Sequence, residues 1–365
     1  MDDKNLTGYL NDASERLVKN ILKSAIGNPK EIAFLLRYRG TSKAAKQKRN
    51  NFESAGQHIP VFLISSITDS CNLFCTGCYA RANGSCGGEK KEKLMTKAEW
   101  GNVFRQAKDL GIAFNLLAGG EPLLRKDVLK EAAKVKEILF PIFTNGLLID
   151  NTYIKIFDKY RNLIPIISME GNEYYTDSRR GEGTYGKLLD VMDNLNQSKI
   201  LFGASITVTS ENLKEVTSQG FLEMLSHKGC KAVLFIEYVP IDSNTQHLAL
   251  SEEKRWLLER KQDELRNVYH KMIFLSFPGD EKYMGGCLAA GRGFLHINPY
   301  GSAEACPFSP YSDTSLKTNT LQEALNSPFF KRLQEDRLVG GEHDGGCALF
   351  ANEEKVKLLL GTALQ

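Results

Sequence analysis

Between residues 58 and 245 the chain alternates, again and again, between two kinds of segment. Short apolar runs, "VFLISSI" (61–67), "AFNLL" (113–117), "ILFPIFT" (138–144), "IPIIS" (164–168), "FGASITV" (202–208) and "AVLFIEYV" (232–239), are separated by stretches of helical periodicity. Each run is bounded by turn residues and rich in β-branched or aromatic types, as buried strands are. In 97–110, Trp100, Val103, Phe104, Ala107 and Leu110 share one helical face, and Thr96 with Glu99 makes a capping box at its start. Segments 126–136, 150–159, 184–198 and 211–226 continue the pattern. Strands joined through helices lie parallel, with right-handed crossovers. About six such units fall short of the eight of a closed barrel, so the expected fold is α/β, a partial (β/α)6 barrel of parallel strands. Its chemistry belongs at the C-terminal ends of the strands.

The flanks differ from this core. In residues 1–57, Leu6, Tyr9, Leu10, Ala13, Leu17, Ile21 and Leu22 recur at helical spacing, and "EIAFLLRYR" offers a second helix. The stretch 37–51 then carries six basic residues and no acidic one. It reads as a basic linker, or as a docking surface for an acidic partner or membrane face. Residues 271–365 hold Cys287, Cys306 and Cys347 among Gly- and Pro-rich loops, the pattern of a small C-terminal α+β module. The expected division is 1–57, 58–270 and 271–365.

A net charge of +3 gives no argument for a specific nucleic-acid partner. No apolar run reaches the roughly 20 residues of a membrane span. The start, "MDDKNLTGYL", lacks a signal-peptide pattern, so a cytoplasmic location is expected, with peripheral membrane contact through 1–57 as the alternative. Thiols stay reduced there, and eight cysteines point to metal or catalysis rather than disulfides.

The first of these sets is "CNLFCTGCYA", where Cys71, Cys75 and Cys78 follow the first strand with C-x3-C-x2-C spacing. Structural zinc closes with four ligands, usually from two C-x2-C pairs, and the fourth is missing here. A [4Fe–4S] cluster also takes four ligands, so three thiolates leave one iron open to a small molecule. The motif resembles the signature of the radical S-adenosylmethionine (radical SAM) superfamily. That family usually has an aromatic just before the last cysteine; here Gly77 stands there and Tyr79 follows. The resemblance implies that the open iron binds S-adenosylmethionine, with Tyr79 beside it, and that an electron from a reductant such as ferredoxin or flavodoxin cleaves the sulfonium to a 5′-deoxyadenosyl radical.

Later segments fit the same resemblance. "AGGEPLLR" (118–125) matches the family's GGE motif, so Gly119, Gly120 and Glu121 would bind the methionyl amino group and Pro122 would fix the exit of the turn. "FTNG" brings Thr144 and Asn145 to the cofactor pocket. "ISMEG" resembles the family's S-x-D-G, with Ser168 toward the ribose and Glu170 in place of Asp. Arg180, or its neighbour Arg179, would pair with the methionyl carboxylate, and Ser205 and Thr207 would lie near the adenosine. "GEGTYG" (181–186) fits a dinucleotide fingerprint only by spacing, because no strand precedes it.

"CLAAGRGFLHINPYGSAEAC" (287–306) has the form C-x13-G-x4-C and resembles the opening of the SPASM module, an auxiliary iron–sulfur extension of the same superfamily. It reads as a β-hairpin turning at Pro299–Gly301, with His296 in the strand as core or surface. Cys347 corresponds to the module's closing ligand. The module's compact run of four cysteines is absent, which implies a shortened, twitch-like form with one auxiliary [4Fe–4S] cluster on Cys287, Cys306 and Cys347. Its fourth position is open, or taken by His343, Asp344 or Cys86. Cys230 reads as plain core. The expected function is radical hydrogen abstraction from an unactivated carbon of a peptide, protein or cofactor precursor. The alternatives are a lipid or membrane-associated substrate and a non-catalytic iron–sulfur redox or scaffold protein. Glu237 and Tyr238, near the end of the sixth strand, are candidates for a base or hydrogen donor, along with Cys86.

Overall fold

Six parallel strands stand where the apolar runs are, in a computed structural model that describes residues 29–87, 92–240, 243–340 and 347–363. They are β1 (Phe62–Ser66), β2 (Phe114–Ala118), β3 (Phe140–Thr144), β4 (Leu163–Met169), β5 (Gly203–Val208) and β6 (Ala232–Glu237). The helices between them start where their caps are. Helix α2 (Lys97–Leu110) has the expected capping box: Thr96 accepts from Glu99 N and Glu99 accepts from Thr96 N. Its Trp100, Val103, Phe104, Ala107 and Leu110 are buried against the sheet.

A seventh parallel strand, β7 (Ile273–Phe277), extends the sheet beyond β6 with Ile236 opposite Phe277. The crossover to it is the helix Glu252–Val268, over which the sequence pattern predicts no element. Ser251 caps it, but its buried face is only Leu258, Gln262 and Leu265, too thin a stripe to stand out. At the other edge, β8 (His296–Ile297) pairs parallel with β1 and antiparallel with β9 (Ala303–Glu304). The sheet order is β7-β6-β5-β4-β3-β2-β1-β8-β9. The hairpin turns where expected: Asn298 Oδ1 accepts from Tyr300 N and Ser302 N, both at 3.0 Å, and Gly301 has φ 98°. His296 is buried between Ser66 Oγ (2.8 Å) and Glu304 Oε2 (2.7 Å), which ties this hairpin to the first strand.

The two faces of the sheet differ in burial. Leu63, Leu117, Ile142, Ile167 and Ile206 are buried in one core with the helices. Ile64, Leu116, Phe143, Ser168, Thr207, Leu234 and Ile236 alternate with such residues and are only partly buried. Period-two alternation therefore separates a packed outer face from a partly accessible inner one.

The basic stretch 37–51 is not a linker. It lies within a single helix, α1 (Pro29–Ser54), whose buried positions Leu35, Tyr38, Ser42, Ala45 and Arg49 repeat at helical spacing. Tyr38 donates its hydroxyl to Ala113 O at 2.8 Å, and the Arg49 guanidinium donates to Gly111 O. Four of these five positions are not large aliphatic residues, so the stripe looked like solvated chain. Leu6 through Leu22 lie outside the described residues. Among the described residues no helix is long and apolar enough to cross a membrane.

Candidate functional site

Backbone pairing between two loops creates the site. Gly120 N donates to Thr68 O and Glu121 N to Ser70 O, both at 2.8 Å. A Cβ on Gly120 would fall 2.1 Å from Ser70 O, and one on Gly119, at φ +126°, 2.4 Å from Thr68 O. The room that these glycines leave is filled by the cysteine loop's own backbone, not by a ligand as the motif suggested. Pro122 follows, buried at the start of the turn Pro122–Leu124.

Glu121 is 1% exposed. Its Oε1 accepts from Leu123 N (3.0 Å) and Thr144 Oγ1 (2.7 Å), and Oε2 accepts from Asn145 N (2.7 Å). A carboxylate has about four acceptor positions, so one remains for a cation. Burial pushes this carboxyl up and the three donors pull it back. Asn145 Nδ2 then donates to Asn72 Oδ1 (2.8 Å) and lies 3.9 Å from Cys71 Sγ, which also accepts from Leu73 N at 3.5 Å. Cys71, Glu121 and the adjacent pair Thr144 and Asn145, from three separate loops, thus form one bonded chain. Cys71, Cys75 and Cys78 all remain partly exposed.

Ser168 and Glu170 close β4. Glu170 is buried and accepts from Arg180 Nε (2.5 Å), Arg180 Nη2 (2.8 Å) and Arg179 Nη1 (2.5 Å). Burial opposes its ionisation, but Arg180 and Arg179 outweigh that and hold the carboxyl below its ordinary range. Arg180, expected to meet the methionyl carboxylate, places Nε and Nη2 on Glu170. Arg179 reaches Thr207 Oγ1 (2.7 Å) and exchanges two bonds with Thr76, N to O at 3.0 Å and Nε to O at 3.1 Å. This locks the cysteine loop beside Cys75. Burial raises the Cys75 thiol, and Arg180 and Arg179 draw it down again. The helix carrying both arginines (Glu173–Arg180) is capped by Asn172 and buries one residue, the polar Thr176, so it has no apolar stripe to mark it. Ser205 stands opposite Ser168 in register. The Tyr79 ring packs on Phe308, centroids 4.9 Å apart.

The second cysteine set converges in a different place. Cys287, Cys306 and Cys347 line one cavity with Phe277, Phe294 and Phe308. The Cys306 and Cys347 thiols act on each other: Cys347, together with burial, raises the Cys306 thiol, and Cys306 draws the Cys347 thiol down. Cys86 is not among them. Its backbone binds Ala80 O, and its thiol is in the field of Cys71 and Cys78. His343 and Asp344 lie outside the described residues. A carboxylate that the sequence reading missed, Glu281, lines the same cavity, and burial pushes it up to about 8. Among the described residues no three His, Cys, Asp or Glu side chains are close enough to hold a single metal ion.

The model of the Radical SAM superfamily matches residues 65–218. Relatives include the sporulation killing factor maturation protein SkfB of Bacillus subtilis (strain 168), 28% identical over 45% of this chain and 40% of that protein. The chain thus spans less than half the length of SkfB. The mycofactocin maturase MftC of Mycobacterium ulcerans (strain Agy99) is 24% identical over 80% of this chain and 84% of its own. Among solved structures, Streptococcus suis SuiB bound to precursor peptide SuiA superposes with a TM-score of 0.65 at 16% identity, covering 90% of this chain and 79% of that one.

Proposed function

We propose, for a chain whose residues 65–218 form a radical SAM domain, that it modifies a peptide, protein or cofactor precursor by abstracting hydrogen from an unactivated carbon. The observation that carries the radical chemistry is the bonded chain from Glu121 through Asn145 to Cys71, at the mouth of a lumen whose inner face is partly accessible. The residues fit the group that the family binds: three partly exposed thiols on one loop, and a buried carboxylate with one acceptor position left for an ammonium. Cys71, Cys75 and Cys78 would hold a [4Fe–4S] cluster, which when bound would supply the electron for reductive cleavage of S-adenosylmethionine.

The protein's own residues do the positioning. Glu121 takes the methionyl ammonium, held in place by Thr144 and Asn145. Arg179 fixes the loop through Thr76, and Glu170 holds Arg179 and Arg180 beside Cys75 with one positive charge in excess. Ser168 and Ser205 face the lumen as hydrogen-bonding groups for the ribose. Cys287, Cys306 and Cys347 would hold a second cluster for electron transfer or substrate binding, and a ferredoxin or flavodoxin would be the reductant. A peptide or protein substrate is supported by relatives whose names make them maturases, SkfB and MftC, and by the likeness to SuiB.

Anaerobically reconstituted full-length protein, given dithionite and S-adenosylmethionine, is expected to release 5′-deoxyadenosine, and Cys75→Ala to abolish it. Iron-loaded protein that releases none would overturn the radical reading. Deuterium passing from a labelled precursor peptide into 5′-deoxyadenosine supports the substrate class. Its absence, together with binding of the full chain to anionic vesicles, favours a membrane-associated substrate instead.

A further inference from the structure

The three-cysteine set at the second cavity is one ligand short of a fully protein-held cluster, and the cavity contains a group that can fill the gap. We propose that Glu281 is the fourth protein ligand of the auxiliary cluster. The proposal rests on the assignment of a cluster to Cys287, Cys306 and Cys347.

Glu281 lies in the turn Gly279–Met284, between the end of β7 and Cys287. It is 3% exposed. A carboxylate buried this far needs a cation or a set of donors. Glu121 and Glu170 show what this chain does elsewhere: the first has three donors and the second two arginines. Glu281 has one hydrogen bond, from Leu288 N to Oε1 at 3.2 Å, and Oε2 has no hydrogen-bond partner among the described residues. The cavity around it is otherwise Val239, Phe277, Pro278, Phe294, Phe308, Ala348 and the three thiols. The field of Arg292 reaches Glu281 but does not offset its burial. An iron ion is the partner that would complete Oε2.

The local backbone is built to hold the carboxylate against the cysteines. Glu281 N donates to Pro278 O (2.7 Å), and Gly286 N returns to Glu281 O (3.0 Å), so the turn closes on itself one residue before Cys287. Leu288 N, just after Cys287, is the donor to Oε1. The carboxylate and the Cys287 thiol are therefore clamped on one short loop. Hard oxygen beside three soft sulfurs makes one iron chemically distinct from the other three.

The test uses the full chain with Cys71, Cys75 and Cys78 changed to Ala, which leaves only the auxiliary site. Anaerobically reconstituted with ⁵⁷Fe and sulfide, it is expected to bind near four irons and to show one Mössbauer subsite apart from the rest. Glu281→Gln should remove that distinct subsite, raise the midpoint potential by deleting an anionic ligand, and let added imidazole perturb the EPR spectrum of the reduced cluster. Glu281→Cys should retain four irons with uniform sulfur ligation. No iron in the triple-Ala chain would overturn the cluster assignment itself. Four irons with spectra, potential and imidazole response unchanged in both Glu281 variants would overturn Glu281 as ligand and leave the cluster standing. If Glu281→Gln fails to fold, Glu281→Cys decides: loss of uniform ligation there is the overturning result.

Discussion

The Tyr238 hydroxyl lies 2.8 Å from the place a Cβ on Gly77 would occupy, and the edge of its ring lies 3.0 Å from it. Gly77 has φ +70°, in the left-handed region. An aromatic ring therefore covers the cysteine loop just before Cys78, although the loop has none at that position. It arrives from the end of β6, and its buried hydroxyl has no hydrogen-bond partner among the described residues. The missing aromatic at position 77 and the presence of Tyr238 are one arrangement.

Gly77→Ala should cost about 1–2 kcal/mol from the left-handed backbone alone, and more from the collision with Tyr238. The expected result is reduced iron retention at Cys71, Cys75 and Cys78 after desalting. The double variant Gly77→Ala/Tyr238→Ala should recover the collision part and not the backbone part. Full iron retention in Gly77→Ala would mean that the ring does not constrain the loop.

Glu121→Gln should weaken S-adenosylmethionine binding by roughly 10–100-fold, because hydrogen bonds to a charged group are worth about 1.5–3 kcal/mol. Backbone donors point at both oxygens, Leu123 N at Oε1 and Asn145 N at Oε2, so either amide orientation sets an N–H against an N–H. Thr144→Val removes one donor only and should lose less. Iron content should be unchanged in both, since neither touches a thiol ligand. Equilibrium dialysis with labelled S-adenosylmethionine reads the loss; equal affinity in Glu121→Gln would remove Glu121 from the site.

Much of this was legible in the sequence. Six strands, the α2 cap and the 298–301 turn follow from local patterns, and the cysteine and GGE spacings marked residues that do meet. The rest depended on distances that a sequence does not carry. Glu281 has no motif, and only the folded cavity brings it to Cys287. The Arg180–Glu170 pair was split between a cofactor role and a replaced motif residue, because nothing in "TDSRR" says that the helix turns its arginines back onto β4. The glycines of GGE are read from the motif as cofactor contacts, whereas the group that comes closest to them is the backbone of Thr68 and Ser70. Helix α1 was misread in its second half because its buried stripe is made of Tyr, Ser, Ala and Arg.

The Glu170 cluster sets a pH dependence. Its carboxyl is held below the ordinary value, so its stabilisation is complete above about pH 4.3 and is lost as pH falls through the lower folded value. Glu170→Gln leaves two guanidinium groups without a counter-charge at a buried site and should cost about 3–5 kcal/mol near pH 7. The gap between variant and native protein should narrow in acid as the native carboxylate takes up its proton. Urea unfolding midpoints between pH 7 and pH 3 measure this, and a gap independent of pH would contradict it.

Two glycine-to-alanine changes of identical chemistry should act in opposite directions. At Gly120 the new methyl would sit 2.1 Å from Ser70 O, a backbone atom that cannot step aside without breaking the pairing between the GGE turn and the cysteine loop. Gly120→Ala is therefore expected to lose S-adenosylmethionine binding and most of the iron at Cys71, Cys75 and Cys78. Gly40 lies in the interior of α1, where an added Cβ meets nothing within 4 Å. There glycine only leaves the unfolded chain more freedom, so Gly40→Ala should stabilise by roughly 0.5–1 kcal/mol, seen as a rise of a few degrees at most in Tm with iron content unchanged. A stable, iron-loaded Gly120→Ala would contradict the close approach of the two loops, and a destabilised Gly40→Ala would contradict the continuous helix through the basic stretch.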